Sequence, residues 1–327
     1  MTLARRAIAI VGAGIAGLAA ARQLQDAGHH VQVFDKSRST GGRLCTRRGE
    51  GWQADHGAQY FTARHADFAV EVQRWREAGA ITLWQPRLTV LGGAAGHQLD
   101  PGVQRYVGTP RMGAPAKLLA DGLTVQTQAT VSAIERVAGQ WQVHTTEHAA
   151  WPVQFDSVLL AQPAAQAATL LGSAQSPLAA LARSVTMRGC WALMLRFEQP
   201  VDWGFDAAFV NDGPLGWLAR DSSKPGRTGQ ETWIAQATPA WSEAHIEATA
   251  EQVLQQLLPV FTGWTGAVPL RSAAHRWRYA DCAAPATVGC VWSAQEQLGL
   301  CGDWLNGGRV EGAWLSGRQL AAQLLMS

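Results

Sequence analysis

The glycine-rich segment near the start of the chain constrains the fold more than any other feature. Residues 6–11, which are apolar from Ala7 onwards, are typical of a buried parallel strand that continues directly into Gly12-Ala13-Gly14-Ile15-Ala16-Gly17, and a helical stretch spans residues 18–27. Gly12 allows a tight turn, Gly14 lets a pyrophosphate approach the backbone, and Gly17 lets helix and strand pack closely. Because the start of such a helix also favours anions, the segment predicts a dinucleotide-binding unit.

An acidic residue stands at the matching distance from this turn. Residues 30–34 read as the next strand, and Asp35 follows at its carboxyl end, where a carboxylate can accept hydrogen bonds from a ribose diol. The competing interpretation is a glycine-rich turn in some other kind of α/β protein. Such a turn does not require a strand before it, a helix after it and an acidic residue at this distance. These residues alone leave open whether the ligand is NAD or FAD.

Composition excludes several classes of protein. The 327 residues carry a formal net charge of only +2 with scattered basic residues, which favours a small-molecule ligand over nucleic acid or an anionic membrane. The five cysteines form no C-x-x-C pair, which argues against a disulfide framework or a zinc ribbon, so no metal is expected. The longest apolar stretch is the glycine-punctuated segment itself, and no basic leader precedes it, so we expect a cytoplasmic protein.

The middle of the chain is predicted to hold two interleaved domains. Residues 66–78 have the spacing of an amphipathic helix outside the nucleotide-binding unit. Residues 123–126, 131–137 and 141–145 are predicted as an inserted three-stranded meander, residues 157–161 as a strand returning to the parallel sheet, and Ala164 as a helix start after Pro163. Strand-like runs at 191–197, 215–220 and 232–237 and a helix over 243–258 are assigned to a substrate domain.

The end of the chain carries a second strand, glycine-rich segment and helix, similar to those at its beginning. Residues 298–301 read as a strand with Gly302-Asp303 at its tip, and the segment GGRVEGA over 307–313 leads into a helix that continues to Leu325. We therefore predict a nucleotide-binding domain made of residues 1–64, 100–165 and 285–327, and a substrate domain made of 65–99 and 166–284.

These motifs together resemble the FAD-dependent amine oxidase-like flavoproteins, and within them the bacterial renalase-like group. The resemblance covers nearly the whole chain and is carried by VGAGIAGLAAA from Val11, STGGR from Ser39, DHGAQYFTAR from Asp55, WLARDSSKPGR from Trp217, HRWRYA from His275 and CGDWLNGGRVEGAWLSG from Cys301. It implies an α/β fold, in which a Rossmann-like FAD-binding domain of the glutathione reductase/p-hydroxybenzoate hydroxylase type is interleaved with an α+β mixed-sheet substrate domain. No cysteine has the context of a thioether site, so FAD is expected to be noncovalent.

The resemblance also implies roles for individual residues. Asp35 would hold the adenosine ribose, and Gly42 and Arg43 would line the pyrophosphate and the approach to the flavin. Residues 59–61 would border the isoalloxazine ring. Asp303 would contact the ribityl or pyrophosphate portion. The helix start at 310–313 would face the pyrimidine edge, where reduction places negative charge. The full set of candidate cofactor-binding residues is Gly12, Ala13, Gly14, Ala16, Gly17, Asp35, Lys36, Gly42, Arg43, Gln59, Tyr60, Phe61, Val131, Gly302, Asp303, Val310, Glu311, Gly312 and Ala313.

Renalase-like enzymes oxidise the 2- and 6-dihydro isomers of NAD(P)H to NAD(P)+ and pass the electrons to O2 as hydrogen peroxide. The resemblance implies the same activity here, with hydride transfer from the nicotinamide ring to flavin N5. Such a reaction requires stacking at close distance and no protein nucleophile. The candidate substrate-pocket residues are His275, Trp277, Arg276 and Tyr60.

Three other functions compete with this one. An amine oxidase acting on a small amine or another hydrophobic substrate is the second candidate, although no lysine lies on the central substrate-domain strands; Lys117 precedes the meander and Lys224 sits in a Pro/Gly loop. A non-catalytic flavin- or dinucleotide-binding module would carry the same terminal motifs. An NAD-dependent dehydrogenase is disfavoured because the GRVEGA segment would then have no role.

Overall fold

The computed structural model describes residues 5–93, 100 and 102–327. The expected domain boundary between residues 99 and 100 lies at the edge of a segment outside this description. The strands, numbered in chain order, are β1 (Ala7–Val11), β2 (His30–Asp35), β3 (Arg47–Gly49), β4 (Trp52–Ala54), β5 (Ile81–Trp84), β6 (Leu88–Leu91), β7 (Arg105–Gly108), β8 (Thr124–Thr127), β9 (Val131–Val137), β10 (Gln140–Thr145), β11 (Ser157–Leu160), β12 (Met187–Phe197), β13 (Ala207–Val210), β14 (Leu215–Arg220), β15 (Glu231–Ala237), β16 (Arg271–Cys282), β17 (Val291–Ser293) and β18 (Leu298–Leu300). The helices are α1 (Ile15–Asp26), α2 (Ala66–Glu77), α3 (Ala114–Ala120), α4 (Ala164–Ser173), α5 (Leu178–Ser184), α6 (Pro239–Ala244), α7 (Ala250–Thr265) and α8 (Val310–Leu325).

The first large sheet has six strands in the order β17-β18-β11-β1-β2-β8. Its strands are parallel except β17, which runs antiparallel to β18. Both faces of β1 are covered, because Ile8 and Ile10 belong to one apolar core and Ala9 and Val11 to another. Burial on both faces explains the unbroken apolar run of this strand, and the arrangement confirms the predicted Rossmann-like unit.

The prediction of a three-stranded meander is wrong for one strand, β8. β9 and β10 do pair as an antiparallel hairpin, but β8 leaves them and extends the parallel sheet beside β2, with Val33 opposite Val125. The strand over 157–161 and the helix that starts at Ala164 are confirmed.

The second large sheet has the order β16-β12-β15-β14-β13-β6 and is antiparallel except for the pairing of β13 with β6. The helix predicted over 243–258 is two helices, α6 and α7. Thr249 separates them because its hydroxyl caps α7 in a reciprocal capping box with Gln252. The apolar face of α7 covers the sheet through Val253, Leu257 and Phe261, which are fully buried.

Helix α2 and strand β6 are close together in the chain but pack with different parts of the fold. Helix α2 confirms the predicted helix, but it packs on α8 rather than away from the nucleotide-binding unit, with the rings of Phe68 and Trp314 5.6 Å apart. Strand β6, in contrast, joins the second sheet. The division into a nucleotide-binding domain (1–64, 100–165 and 285–327) and a substrate domain (65–99 and 166–284) therefore stays a prediction.

The two ends of the described chain pack against each other. Helices α1 and α8 lie side by side, and a Cβ atom added at Gly317 would overlap the carbonyl oxygen of Ala16. Since only glycine permits this approach, the sequence brings the start of α8 to the glycine turn before α1.

Within the described residues, no helix combines the length and apolarity required to cross a lipid bilayer.

Candidate functional site

A cavity of about 2460 Å³ lies between the two large sheets. The carboxyl ends of β1 and β2 and the start of α8 line one side, and strands β12, β14, β15 and β16 line the other. Ligand pockets usually measure roughly 300–1,000 Å³. The cavity therefore has room for a dinucleotide and a second ligand together.

The glycine turn between β1 and α1 forms one wall of this cavity. Gly12 has a left-handed φ of +112°, and a Cβ there would come within 2.8 Å of the Ala161 carbonyl oxygen. A Cβ at Gly17 would overlap the carbonyl oxygen of Gly12. At Gly14, in contrast, an added Cβ meets no atom within 4 Å, so the space beside it is open. Two glycines thus shape the turn, and the third leaves room for a ligand at the start of α1.

Asp35 lies where β2 ends and lines the cavity. Its Oδ2 accepts a hydrogen bond from the Ala13 N–H and its Oδ1 one from the Ser37 N–H, both at 2.7 Å. Because an ionised carboxylate has about four acceptor positions, these two bonds fix its orientation and leave acceptor capacity for a ribose diol.

Arg43 and Asp303 join the two ends of the chain across the cavity. The guanidinium donates to both carboxylate oxygens at 2.9 and 2.5 Å, and to the Ala280 carbonyl oxygen at 2.8 Å. A bidentate pair of this kind fixes both side chains. Residues separated by 260 positions thus form one polar edge of the site.

Most of the candidate cofactor-binding residues line this one cavity. They are Gly12, Gly14, Ala16, Asp35, Lys36, Gly42, Arg43, Gln59, Tyr60, Phe61, Val131, Gly302, Asp303, Val310 and Ala313. Four candidates lie outside the lining. Ala13 and Gly17 shape the turn from behind, and the other two, Glu311 and Gly312, lie at the start of α8.

Glu311 and Gly312 contact protein rather than the cavity. The Glu311 carboxylate accepts hydrogen bonds from the backbone N–H groups of Arg64, at 2.5 Å, and His65, at 3.0 Å, where α2 begins. Gly312 is required by packing, since a Cβ there would overlap the carbonyl oxygen of Asn306. At the start of α8, Val310 and Ala313 line the cavity, and the cofactor contacts predicted for Glu311 and Gly312 stay predictions.

An aromatic cluster of His56, His275 and Trp277 lines the opposite wall. The ring centroids of His56 lie 4.6 Å from His275 and 5.2 Å from Trp277, and Trp277 Nε1 donates to the His56 carbonyl oxygen at 2.8 Å. Burial lowers the pKa of His56 to about 4, helped by the nearby charges of His275 and Arg47. Burial and Arg47 also lower the pKa of His275. Both imidazoles are therefore neutral at pH 7.

The other two candidate pocket residues lie elsewhere on the wall. Arg276 alternates with His275 along β16, and its guanidinium donates to the Ile246 carbonyl oxygen at 2.7 Å, so the side chain is anchored away from the aromatic cluster. The ring of Tyr60 lies 5.6 Å from that of Trp217, and Arg105 lies 5.4 Å above it. Of the four predicted residues, the structure therefore brings together only His275 and Trp277.

Sequence reasoning missed a buried charge cluster behind this wall. Lys224 is fully buried, and its Nζ donates to Asp221 at 2.8 Å, Asp55 at 3.1 Å and Gln59 at 3.3 Å. Gln59 stands between this lysine and the cavity, because Gln59 lines the cavity and Lys224 does not. His56 was missed as well, although it lies in the same DHGAQYF segment that marks Gln59.

The lining of the cavity is strongly basic. Ten basic side chains, nine of them arginine, line it among the described residues, against four acidic ones. The whole chain has a net charge of only +2, so its positive charge is concentrated around the cavity. The single lysine among the described lining residues, Lys36, lies at the nucleotide end beside Asp35.

These features fit an FAD molecule. The open space at Gly14 and the start of α1 suit a pyrophosphate, the oriented Asp35 carboxylate suits a ribose, and the start of α8 suits an anionic flavin edge. The two helix starts face the same cavity, as a single bound dinucleotide requires.

Comparison with known proteins agrees with this geometry. A family described as flavin containing amine oxidoreductase matches residues 77–325, and an NAD(P)-binding Rossmann-like domain matches residues 10–72. An L-amino-acid oxidase of Siganus canaliculatus is 49% identical over 63 residues, which are 19% of this chain and only 12% of that protein.

Two solved structures share the fold over nearly their whole length. A proposed protoporphyrinogen oxidase from Exiguobacterium sp. 255-15 superposes with a TM-score of 0.76 at 13% identity, covering 98% of this chain and 99% of that one. A triple mutant of putrescine oxidase superposes with a TM-score of 0.75 at 13% identity, with the same coverage.

Proposed function

Because the chain belongs to the flavin-containing amine oxidoreductase family and uses FAD, we propose that it oxidises the 2- and 6-dihydro isomers of NAD(P)H. The substrate loses a hydride and becomes NAD(P)+, while O2 takes up two electrons and two protons and becomes hydrogen peroxide. Bound FAD supplies the hydride acceptor, at N5, and the route of the electrons to O2.

The charge of the cavity is the observation that supports this substrate. Ten basic against four acidic lining side chains attract the phosphates of a dinucleotide and repel a protonated amine. FAD contributes one pyrophosphate to this balance, which leaves several arginines for a second anionic ligand.

The aromatic cluster supports the same chemistry. His56, His275 and Trp277 provide flat, neutral surfaces against which a nicotinamide ring can be held, and an imidazole N–H can donate to its carboxamide oxygen. Oxidation of a dihydronicotinamide removes a hydride and leaves no proton for a base to accept. The wall therefore needs to orient the ring and exclude water, and no side chain has to act as a general base.

An amine oxidase is the second candidate function. The Tyr60 and Trp217 rings line the cavity 5.6 Å apart and could flank a small ammonium group through cation–π contact. The positive charge of Arg105 above the Tyr60 ring opposes such a ligand. This contact adds to the positive charge of the whole lining, which ranks the dihydronicotinamide isomers first.

Anaerobic reduction of the flavin distinguishes the two functions. We expect borohydride-treated NAD+ or NADP+, which contains the 2- and 6-dihydro isomers, to bleach the 450 nm absorbance rapidly, and the ordinary 4-dihydro isomer to react far more slowly. Readmission of O2 should restore the absorbance and yield hydrogen peroxide. Bleaching by amines, with no reaction of the isomers, would assign the protein to the second function.

A further inference from the structure

We propose that Arg47 and Arg48 form a subsite for the phosphates of the substrate dinucleotide, an inference that rests on the proposed function. Both arginines belong to β3, the first strand of a short hairpin with β4, and both line the cavity. All three residues of β3 are exposed, so the guanidinium groups are accessible to a ligand that enters the cavity.

The hairpin lies next to the aromatic cluster. Arg47 pairs with Ala54 across the hairpin, and the chain continues from Ala54 to His56 in two residues. The charge of Arg47 contributes to lowering the pKa values of both His56 and His275, which shows that its guanidinium lies within electrostatic reach of the two imidazoles. In the dinucleotide, one ribose separates the nicotinamide ring from the first phosphate. If the cluster holds the ring, Arg47 and Arg48 of the hairpin offer positive charge to that phosphate.

Neither arginine is neutralised by the protein. Among the described residues, no ion pair and no side-chain hydrogen bond involves Arg47 or Arg48. Arginines elsewhere on the lining differ, since Arg43 is bound to Asp303, and Arg278 forms two hydrogen bonds with Glu247. Unpaired guanidinium groups beside a ligand cavity are suited to bidentate binding of phosphate.

FAD has another set of contacts for its own phosphates. The turn at Gly14 and the start of α1 belong to the first large sheet and its helix, whereas the hairpin's neighbour His56 packs against His275 of β16 in the second large sheet. The subsite therefore serves the second ligand, and removing either arginine should leave the cofactor in place.

The test compares NAD+ with nicotinamide riboside, which keeps the nicotinamide and its ribose but lacks both phosphates and the adenosine. Wild-type holoenzyme, Arg47→Ala and Arg48→Ala are titrated calorimetrically with NAD+ and with nicotinamide riboside, and then reduced anaerobically by the 2- and 6-dihydro isomers of each. Arg183→Ala is the matched control, because Arg183 is an exposed arginine that does not line the cavity. All three variants change the net charge equally.

We expect each β3 variant to weaken NAD+ binding about tenfold or more, since it loses a charged hydrogen bond, with an equal rise in the KM of the dinucleotide isomers. Nicotinamide riboside, the limiting rate of flavin reduction, the bound FAD and the control should be unchanged. Equal losses for NAD+ and the riboside, unchanged NAD+ binding, or loss of FAD from the variants would each overturn the subsite. If no isomer reduces the wild-type flavin, the proposed function fails, and the NAD+ titration still decides whether the subsite exists.

Discussion

The ammonium group of Lys224 lies 2.8 Å from the carboxylate of Asp221, and neither side chain reaches solvent. Asp55 is 3.1 Å from the same ammonium and 2.6 Å from the guanidinium of Arg227, so two cations and two anions are buried together. Burial and the charge of Asp55 raise the pKa of Asp221 to about 6. Burial also opposes ionisation of Asp55, but Lys224 and Arg227 outweigh it, and the pKa of Asp55 is lowered.

Removing one member of this cluster should destabilise the protein strongly. We expect Lys224→Met to lower the free energy of unfolding by about 3–5 kcal/mol, because it leaves buried carboxylates without their counter-ion. Urea denaturation followed by circular dichroism measures this change. Lys117→Met, at an exposed lysine, should change stability by less than about 0.5 kcal/mol. A loss below about 1 kcal/mol for Lys224→Met would show that the cluster tolerates an unpaired carboxylate.

His56 should make stability depend on pH. Its pKa is about 4 in the folded protein and about 6.5 when unfolded, so the unfolded chain binds more protons between these values, and stability is lost as the pH falls from 6.5 towards 4. We expect His56→Asn to remove about 2 kcal/mol of the difference in unfolding free energy between pH 7 and pH 5. Asp221, with its raised pKa, acts in the opposite direction in both proteins and cancels in the comparison. Identical pH profiles for the two proteins would contradict the neutral, buried state of His56.

The glycines of the turn should respond differently to the same substitution. Gly14→Val places its side chain in open cavity space, so we expect a folded but colourless protein that does not retain FAD. Gly17→Val places its side chain on the carbonyl oxygen of Gly12, so we expect loss of the fold itself. Absorbance at 450 nm reports the first effect and circular dichroism the second. A yellow Gly14→Val protein would show that the pyrophosphate lies elsewhere.

Glu311 provides a test of what its carboxylate does at the start of α8. Because its carboxylate binds two N–H groups at the start of α2, Glu311→Ala should cost about 1 kcal/mol of stability, as loss of a helix cap does. The visible spectrum of the bound flavin should not change. Glu50→Ala, at an exposed glutamate, is the matched control. A shifted flavin spectrum in Glu311→Ala would show that this carboxylate also acts on the bound flavin.

The parts of the fold that the sequence predicts well are local ones. The turn at Gly12, the helix start at Ala164 and the strand over 215–220 each depend on residues close together in the chain, and the structure contains all three. The break between α6 and α7 was also readable, since Thr249 and Gln252 have the spacing of a capping box. The apolar periodicity continues across residues 243–258, and it led to the prediction of a single helix there.

The features that sequence reasoning missed depend on distant partners. β8 pairs with β2, about ninety residues earlier, and nothing in its four residues distinguishes an edge of a parallel sheet from a strand of a meander. Lys224 is buried beside Asp55 and Gln59, which lie 169 and 165 residues away in the chain, as well as beside Asp221. The hydrogen bonds from the Arg64 and His65 N–H groups to the Glu311 carboxylate, across separations of 247 and 246 residues, could not be inferred from the motif in which Glu311 lies.

The contact between Gly317 and Ala16 has a consequence for biosynthesis. The glycine turn is translated before α8, which supplies part of the surface against which α1 packs and follows it by about three hundred residues. A nascent chain that has not yet released α8 from the ribosome therefore holds an incomplete site for the dinucleotide. Capture of the flavin is expected only after α8 has been synthesised and packed on α1.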